Sequence, residues 1–119
     1  MNVDGATLSS TQHGDHVIIS VTGELDVFNA ARIVALVEAA VPTAAHGAVL
    51  DLSGVEFLDS TAIRKLFALT SRLGERRQRV RVVTPSGSIV LRTLELVEFA
   101  RAAPMHGSLE EALAELPGP

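Results

Sequence analysis

The stretch from Ala48 to Gly74 constrains the fold more than any other part of the chain. It opens with an apolar run, Ala48–Leu52, that predicts a buried strand, and a loop is expected over Ser53–Leu58. Behind the loop, mainly apolar residues recur with helical period at Ile63, Leu66, Phe67 and Thr70, widened by Leu69 and Leu73. A buried strand that feeds an amphipathic helix through a turn is typical of α/β proteins.

The start of this predicted helix can be assigned from its neighbours. With Asp59 as the N-cap, Leu58 and Ile63 occupy the two positions of a hydrophobic staple, which is lost if Ser60 is the cap. The Asp59 carboxylate can then accept from the free N–H groups of the first turn. Ser60 is left without a capping role, and its hydroxyl is expected to face outward at a helix end that stabilises anions. By themselves these residues favour a purely structural role for Asp59, Ser60 and Thr61, because such clusters commonly only cap helices.

The rest of the chain alternates strands and helices after an opening hairpin. Strands are predicted at Ala6–Thr11, His16–Thr22, Val80–Val83 and Phe99–Ala103. The other predicted helices run from Asn29 to about Val41, from Thr84-Pro85-Ser86 onward, and from Ser108 to Leu116. This order predicts a single α/β domain over residues 1–119, with a mixed sheet of about five strands and about four helices packed on it.

Two of these helices carry further expectations about side chains. Phe28 and Ile33 are expected to form a hydrophobic staple around an Asn29 N-cap. In the third helix, the residues expected to face the core are Ile89, Val90, Leu94 and Val97.

Composition and charge exclude several classes of function. The chain has no Cys, which excludes disulfides, thiol catalysis and zinc–thiolate sites, and its formal charge of −4 argues against nucleic-acid binding. His13 and His16 lie close together, but no further ligands converge on them, so neither a metal nor a cofactor is predicted. We find no nucleophile elbow and no phosphate-binding glycine loop, so we expect no enzymatic activity. The absence of a signal peptide and of a long apolar run predicts a cytoplasmic protein without membrane contact.

Asp51 raises one alternative class, the receiver domain. An Asp at the end of a buried parallel strand can be the phosphoacceptor of such a domain. That interpretation requires an acidic pair after the first strand to hold Mg²⁺, and Ala6–Thr11 supplies none. It also requires a downstream Lys, but Lys65 is the only Lys in the chain. The sequence therefore argues against a receiver domain.

The stretch VLDLSGVEFLDSTAIRKL, together with Gly23-Glu24-Leu25-Asp26, resembles the two motifs of STAS domains, in particular those of bacterial anti-sigma factor antagonists. The resemblance covers nearly the whole chain. It implies that Ser60, directly after the motif's Asp, is phosphorylated by the partner anti-sigma factor, which is a serine kinase. It also implies that the Gly23–Asp26 loop lies beside Ser60 and contacts the partner. The match departs at Ala62, where the family usually has Gly.

By this resemblance the protein is an anti-sigma factor antagonist, which binds its partner when unphosphorylated and releases it when phosphorylated. The candidate partner-binding residues are Glu24, Asp26, Asp59, Ser60 and Thr61. A serine phosphatase acting on phosphorylated Ser60 is a further expected partner, and the chain itself is expected to be a monomer or weak dimer. The alternative is a scaffold or transport-complex subunit of the same family, in which Ser60 only helps to start the helix. For Asp26, a role as a turn or capping carboxylate is equally open.

A basic patch is predicted on the helix that follows Asp59 and on the segment after it. Its members are seven of the ten basic residues, Arg64, Lys65, Arg72, Arg76, Arg77, Arg79 and Arg81. The simpler interpretation is a solvated helix face and loop. The alternative is a contact for an acidic surface on a partner, where charge speeds encounter.

Overall fold

The chain folds around one mixed β-sheet, which a computed structural model describes for residues 1–117. Gly118 and Pro119, predicted to follow the last helix, lie outside the described residues. The strands are β1 (Asn2–Val3), β2 (Ala6–His13), β3 (His16–Leu25), β4 (Gly47–Leu58), β5 (Arg79–Val83) and β6 (Met105–His106). The helices are α1 (Ala30–Ala40), α2 (Ser60–Glu75), α3 (Ile89–Leu96) and α4 (Leu109–Ala114), and a short 3-10 helix spans Phe99–Arg101.

The sheet has the strand order β1-β2-β3-β4-β5-β6. The first three strands pair antiparallel, and β3 to β6 pair parallel. The predicted α/β class with a mixed sheet and four helices is confirmed. The described residues form six strands where about five were expected, because Asn2–Val3 adds a two-residue edge strand that is too short to leave a sequence pattern.

The two faces of the sheet carry apolar clusters of unequal size. In β4, Ala48, Leu50 and Leu52 point into the larger cluster, which also contains the buried residues of α1, α2 and α3. Val49 points the other way, into a small cluster with Val83 of β5 and Ala112 of α4. This alternation follows from the two-residue side-chain period of a strand.

The predicted loop at Ser53–Leu58 is wrong, because β4 runs on to Leu58. Its pairing with β5 ends at Asp51, but its pairing with β3 continues after a register shift as far as Leu25 with Leu58. Asp51 is therefore inside the strand, where its Oδ1 accepts from the backbone N of Ser53 at 2.9 Å. The extension carries the chain beyond the end of β5 and brings the start of α2 to the end of β3.

The predicted last strand at Phe99–Ala103 is also wrong. Glu98 adopts a left-handed conformation with φ of 57°, and the chain then forms the 3-10 helix. Phe99 is buried and its ring lies 4.8 Å from that of Phe67 in α2. The apolar run Phe99–Ala103 resembles a buried strand in sequence because it also contributes to the core. The last strand of the sheet is instead the short β6.

Two side-chain expectations for the helices are wrong. Phe28 is 82% exposed and forms no staple, although α1 does begin directly after Asn29. In α3, Val90 and Leu94 are buried, whereas Ile89 is 66% exposed and Val97, directly after the helix, is 39% exposed. Ser88 caps α3 by accepting from the backbone N of Leu91 at 3.1 Å.

Helices within residues 1–117 are all too short or too polar to traverse a lipid bilayer.

His16, the first residue of β3 as predicted, is buried beside the turn that joins β2 to β3. Only 9% of its surface is exposed, and its ring meets that of His46 edge to face, with centroids 6.1 Å apart. Burial lowers the pKa of His16 below the ordinary value of 6.5, and the nearby His46, Arg81 and His13 lower it further against the opposing pull of Asp15. The folded protein therefore disfavours protonation of this imidazole.

Unfolding should consequently become easier as the pH falls below 6.5. In that range His16 is protonated in the unfolded chain but still neutral in the folded chain. The free energy of unfolding therefore decreases with falling pH until the pH reaches the lowered pKa of the folded state. The slope from one such group is at most about 1.4 kcal/mol per pH unit. Urea titrations between pH 7.5 and 5 measure it, and we expect His16→Gln to flatten the slope more than the exposed control His13→Gln. Equal slopes for the two variants would contradict this assignment.

Candidate functional site

Asp59 joins two parts of the molecule at the start of α2. Its Oδ1 accepts from the backbone N of Ala62 at 2.8 Å, which confirms Asp59 as the N-cap. Its Oδ2 accepts from the backbone N of Val27 at 2.8 Å, in the loop between β3 and α1. The backbone N of Asp59 also donates to the carbonyl oxygen of Leu25 at 3.1 Å. Asp59 therefore ties the helix start to the end of β3 through its backbone and to the following loop through its carboxylate.

The segment Gly23–Asp26 lies beside this helix start, as the resemblance implied. Gly23 has φ of 99°, and a Cβ there would lie 2.1 Å from the carbonyl oxygen of Gly5, so glycine alone fits. Asp26 Oδ1 accepts from the backbone N of Phe28 at 2.9 Å, which is the turn role that the sequence left open. Partner contact by Asp26 remains a proposal.

The buried side chain of Asn29 stabilises the same loop through hydrogen bonds. It is buried, and its carbonyl oxygen accepts from the backbone N of Asp26 at 3.0 Å. Its amide donates to the carbonyl oxygens of Asp4 at 3.0 Å and Glu24 at 2.8 Å. Asn29 occupies the predicted N-cap position of α1, but its side chain forms these bonds and no capping hydrogen bond to the helix. The loop beside the start of α2 is thus held by a buried amide and by the Asp59 carboxylate.

Ser60 is exposed at the first position of α2, and within residues 1–117 its hydroxyl forms no hydrogen bond with the protein. Thr61 is half-buried, and its Oγ1 accepts from Arg64 Nη2 at 3.3 Å. Ala62 is buried, so the methyl group that replaces the usual glycine hydrogen is accommodated in the core. Glu24 is exposed and pairs along the strands with Phe57 of β4. The five candidate residues therefore lie on connected elements at one end of the sheet.

Exposed apolar side chains beside Ser60 were missed by the sequence analysis. Val27 is 62% exposed and Phe28 is 82% exposed, both in the loop that Asp59 holds. Phe57, two residues before Asp59, is 47% exposed. The signal was present in the sequence, since Val27-Phe28 follows the Gly-x-Leu-Asp motif, but Phe28 was assigned to a staple. Exposed aromatic residues are typical of protein interfaces.

Three of the seven members of the predicted basic patch are engaged within the protein. Arg72 forms an ion pair with Glu38 of α1, with Nε and Oε1 2.8 Å apart. Arg76 Nη2 donates to the carbonyl oxygen of Val41 at 3.1 Å, and Arg81 Nη1 lies 3.3 Å from His106 Nε2. These contacts favour the structural interpretation of those members of the patch.

Ser60, whose side chain is exposed, lies at the opposite end of the sheet from three of the four histidines. His13, His16 and His46 lie at the start of β3 and β4, whereas Ser60 follows their far ends. In the part of the chain that the structure describes, no three acidic or imidazole side chains are placed to hold a metal ion.

Comparison with known structures places this fold among the SpoIIAA-like α/β domains. An anti-sigma factor antagonist from Mycobacterium paratuberculosis superposes with a TM-score of 0.76 at 28% identity, covering 92% of each chain. The phosphorylated form of the Bacillus cell fate determinant SpoIIAA superposes with a TM-score of 0.66 at 17% identity, covering 93% of this chain and 100% of the other, and that likeness concerns the fold alone.

The sequence itself identifies the family. The model of the STAS domain family matches residues 7–112, which is most of the chain, so the chain belongs to the STAS family. Among curated proteins, the anti-sigma-F factor antagonist RsfB of Mycobacterium tuberculosis is 28% identical over 116 residues, covering 97% of this chain and 93% of the relative.

Proposed function

We propose that this protein is an anti-sigma factor antagonist that binds an anti-sigma factor through the surface around Ser60. That surface consists of Glu24, Asp26, Val27, Phe28, Asp59, Ser60 and Thr61. The observation that carries the proposal is the exposed Ser60 hydroxyl beside a loop that holds Phe28 82% exposed. The loop is tied to the helix start through Asp59 Oδ2 and Val27 N at 2.8 Å, so the surface is formed before a partner arrives. Preformed surfaces bind with less entropic cost.

The binding is switched by phosphorylation of Ser60. The anti-sigma factor, acting as a serine kinase, transfers the γ-phosphoryl group of ATP to Ser60 Oγ. The new O–P bond replaces the bond between the γ-phosphorus and the bridging oxygen, ADP leaves, and the hydroxyl proton passes to the kinase's general base. Unphosphorylated, the protein binds the anti-sigma factor and thereby frees a sigma factor; phosphorylated, it lets go. A serine phosphatase hydrolyses the phosphate and restores the alcohol.

In this proposal the protein is a cytoplasmic binding module that catalyses nothing itself, needs no cofactor, and contacts neither nucleic acid nor membrane. It works as a monomer or weak dimer. The relatives named above support it: RsfB and the Mycobacterium paratuberculosis protein are both described as anti-sigma factor antagonists, each at 28% identity. In the alternative function, an unswitched scaffold or transport-complex subunit, Ser60 stays unmodified.

Incubation with the cognate kinase and ATP should add a single phosphate, located on Ser60 by mass spectrometry of peptides. The exposed hydroxyl is free to enter a kinase active site, whereas the Thr61 hydroxyl is half-buried and already accepts from Arg64. Thr61→Ala should therefore retain the label and Ser60→Ala should lose it. Phosphate on Thr61 alone, or none with a kinase of proven activity, would favour the scaffold function instead.

A further inference from the structure

Arg64 is a cation on α2 that forms no ion pair with an acidic group among residues 1–117. Its Nη2 donates to Thr61 Oγ1 at 3.3 Å, which directs the guanidinium back toward the start of the helix. The side chain is exposed, and the ion pairs found within residues 1–117 do not include it. In this it differs from Arg72 on the same helix, which pairs with Glu38 at 2.8 Å.

The position of Arg64 relative to Ser60 suits an ion pair along the helix. The two residues are four apart, so their Cβ atoms are neighbours about 5–6 Å apart on one helix face. An anionic residue that precedes a cationic one by four positions is the favourable order, because both charges then complement the helix dipole. Among the described residues Asp59 forms no ion pair with Arg64, and its two oxygens accept from the backbone N atoms of Ala62 and Val27.

We propose that Arg64 holds the phosphate of phosphorylated Ser60 in the free protein, exchanging Thr61 Oγ1 for the phosphate oxygens. The inference rests on the proposed function, which supplies the phosphate. A guanidinium can give a phosphate two parallel hydrogen bonds, which a threonine hydroxyl cannot match. The pair compensates for the acidic residues Asp26 and Asp59 nearby and favours the dianionic form of the phosphate.

The pair also affects release of the partner. A partner that docks on phosphorylated Ser60 has to break the ion pair or bury it, and either step costs binding free energy. Arg64 is thus a positioning residue for the switch. Lys65 provides a matched comparison, because it carries the same charge one residue later. At 100° per residue, Arg64 lies about 40° around the helix from Ser60, and Lys65 about 140°.

The test is a phosphorus NMR titration of protein in which phosphoserine has been incorporated at position 60 during translation, without any kinase. Arg64→Gln should raise the pKa of the second phosphate ionisation by about 0.3 unit, the value of one helical ion pair. Lys65→Gln, which removes the same charge from another face, should raise that pKa by less than half as much. Arg64→Lys should recover part of the effect.

Equal shifts in the Arg64→Gln and Lys65→Gln proteins, or no shift in either, would overturn the inference. Because the phosphate is installed without a kinase, this outcome is independent of whether a kinase modifies the protein. Conversely, a specific effect of Arg64 with no labelling by a proven kinase would leave the ion pair established and reject the proposed switch.

Discussion

Ser60→Asp and Ser60→Glu are expected to weaken the complex with the anti-sigma factor by about a hundredfold or more, whereas Ser60→Ala keeps the affinity within about threefold. The physical reason is local. An interface that accepts a neutral hydroxyl would have to bury an anion beside Asp59 and the Asp26 loop. Removing a charge from water costs several kcal/mol even where a cation such as Arg64 compensates part of it, and about 2.7 kcal/mol already corresponds to a hundredfold change.

The effect should appear in affinity and leave stability unchanged. Ser60 is exposed and forms no hydrogen bond with the described residues, and a negative charge is tolerated at a helix N-terminus. All three variants should therefore keep the free energy of unfolding within about 0.5 kcal/mol.

Titration calorimetry against the partner measures this difference, with thermal melts of each variant as the control for folding. A carboxylate carries less charge than a phosphate, which adds roughly −1.5 to −2 at neutral pH, so the protein with phosphoserine at position 60 gives the largest loss. Equal affinities for the Ser60→Ala protein and the phosphorylated protein would rule out the switch and favour the scaffold alternative.

Asp59→Ala is expected to lower the free energy of unfolding by about 2 kcal/mol, which corresponds to about 6–8 °C in melting temperature for a chain of this size. The cap contributes about 1 kcal/mol, and the hydrogen bond from Val27 N contributes about as much again. The structure therefore raises the expected effect above that of a simple cap. Loss of the bond to Val27 should also loosen the loop that displays Phe28 and weaken partner binding.

Two controls separate these contributions in urea or thermal unfolding. Asp59→Asn retains one acceptor oxygen and a good capping residue, so it should lose about half as much stability as Asp59→Ala. Glu24→Ala removes the same charge from an exposed side chain and should have an effect below about 0.5 kcal/mol. If Ser60→Ala destabilises the protein more than Asp59→Ala, the cap has been assigned to the wrong residue.

Local rules were sufficient at the start of α2. The spacing of Leu58 and Ile63 around Asp59 predicted the N-cap, and the structure places Leu58 in the core with Ile63 packed against it. The reason is that a cap and its flanking residues interact within one turn of helix, so their sequence positions nearly determine their geometry. The strands at His16–Thr22 and Val80–Val83 could be predicted for a similar reason, because alternating apolar and polar side chains reflect the two faces of the strand itself.

Local rules failed where a distant segment decides the conformation. Ser53–Leu58 lacks a clear strand pattern, and it is extended because β3 pairs with it through a register shift. Phe99 lies in the core at the start of a 3-10 helix, where its ring packs against that of Phe67 in α2. The residues around Phe99 in the sequence do not reveal this contact.

The same distinction applies to the site. The sequence alone determined that a strand leads to an Asp59-capped helix with Ser60 next to the cap, because those relations span only a few residues. Only the tertiary structure decided that Asp59 also accepts from Val27 N and that Phe28 is exposed beside it. These features depend on the parallel pairing of β3 with β4, which brings together residues about thirty positions apart. The buried amide of Asn29 then fixes the loop in place.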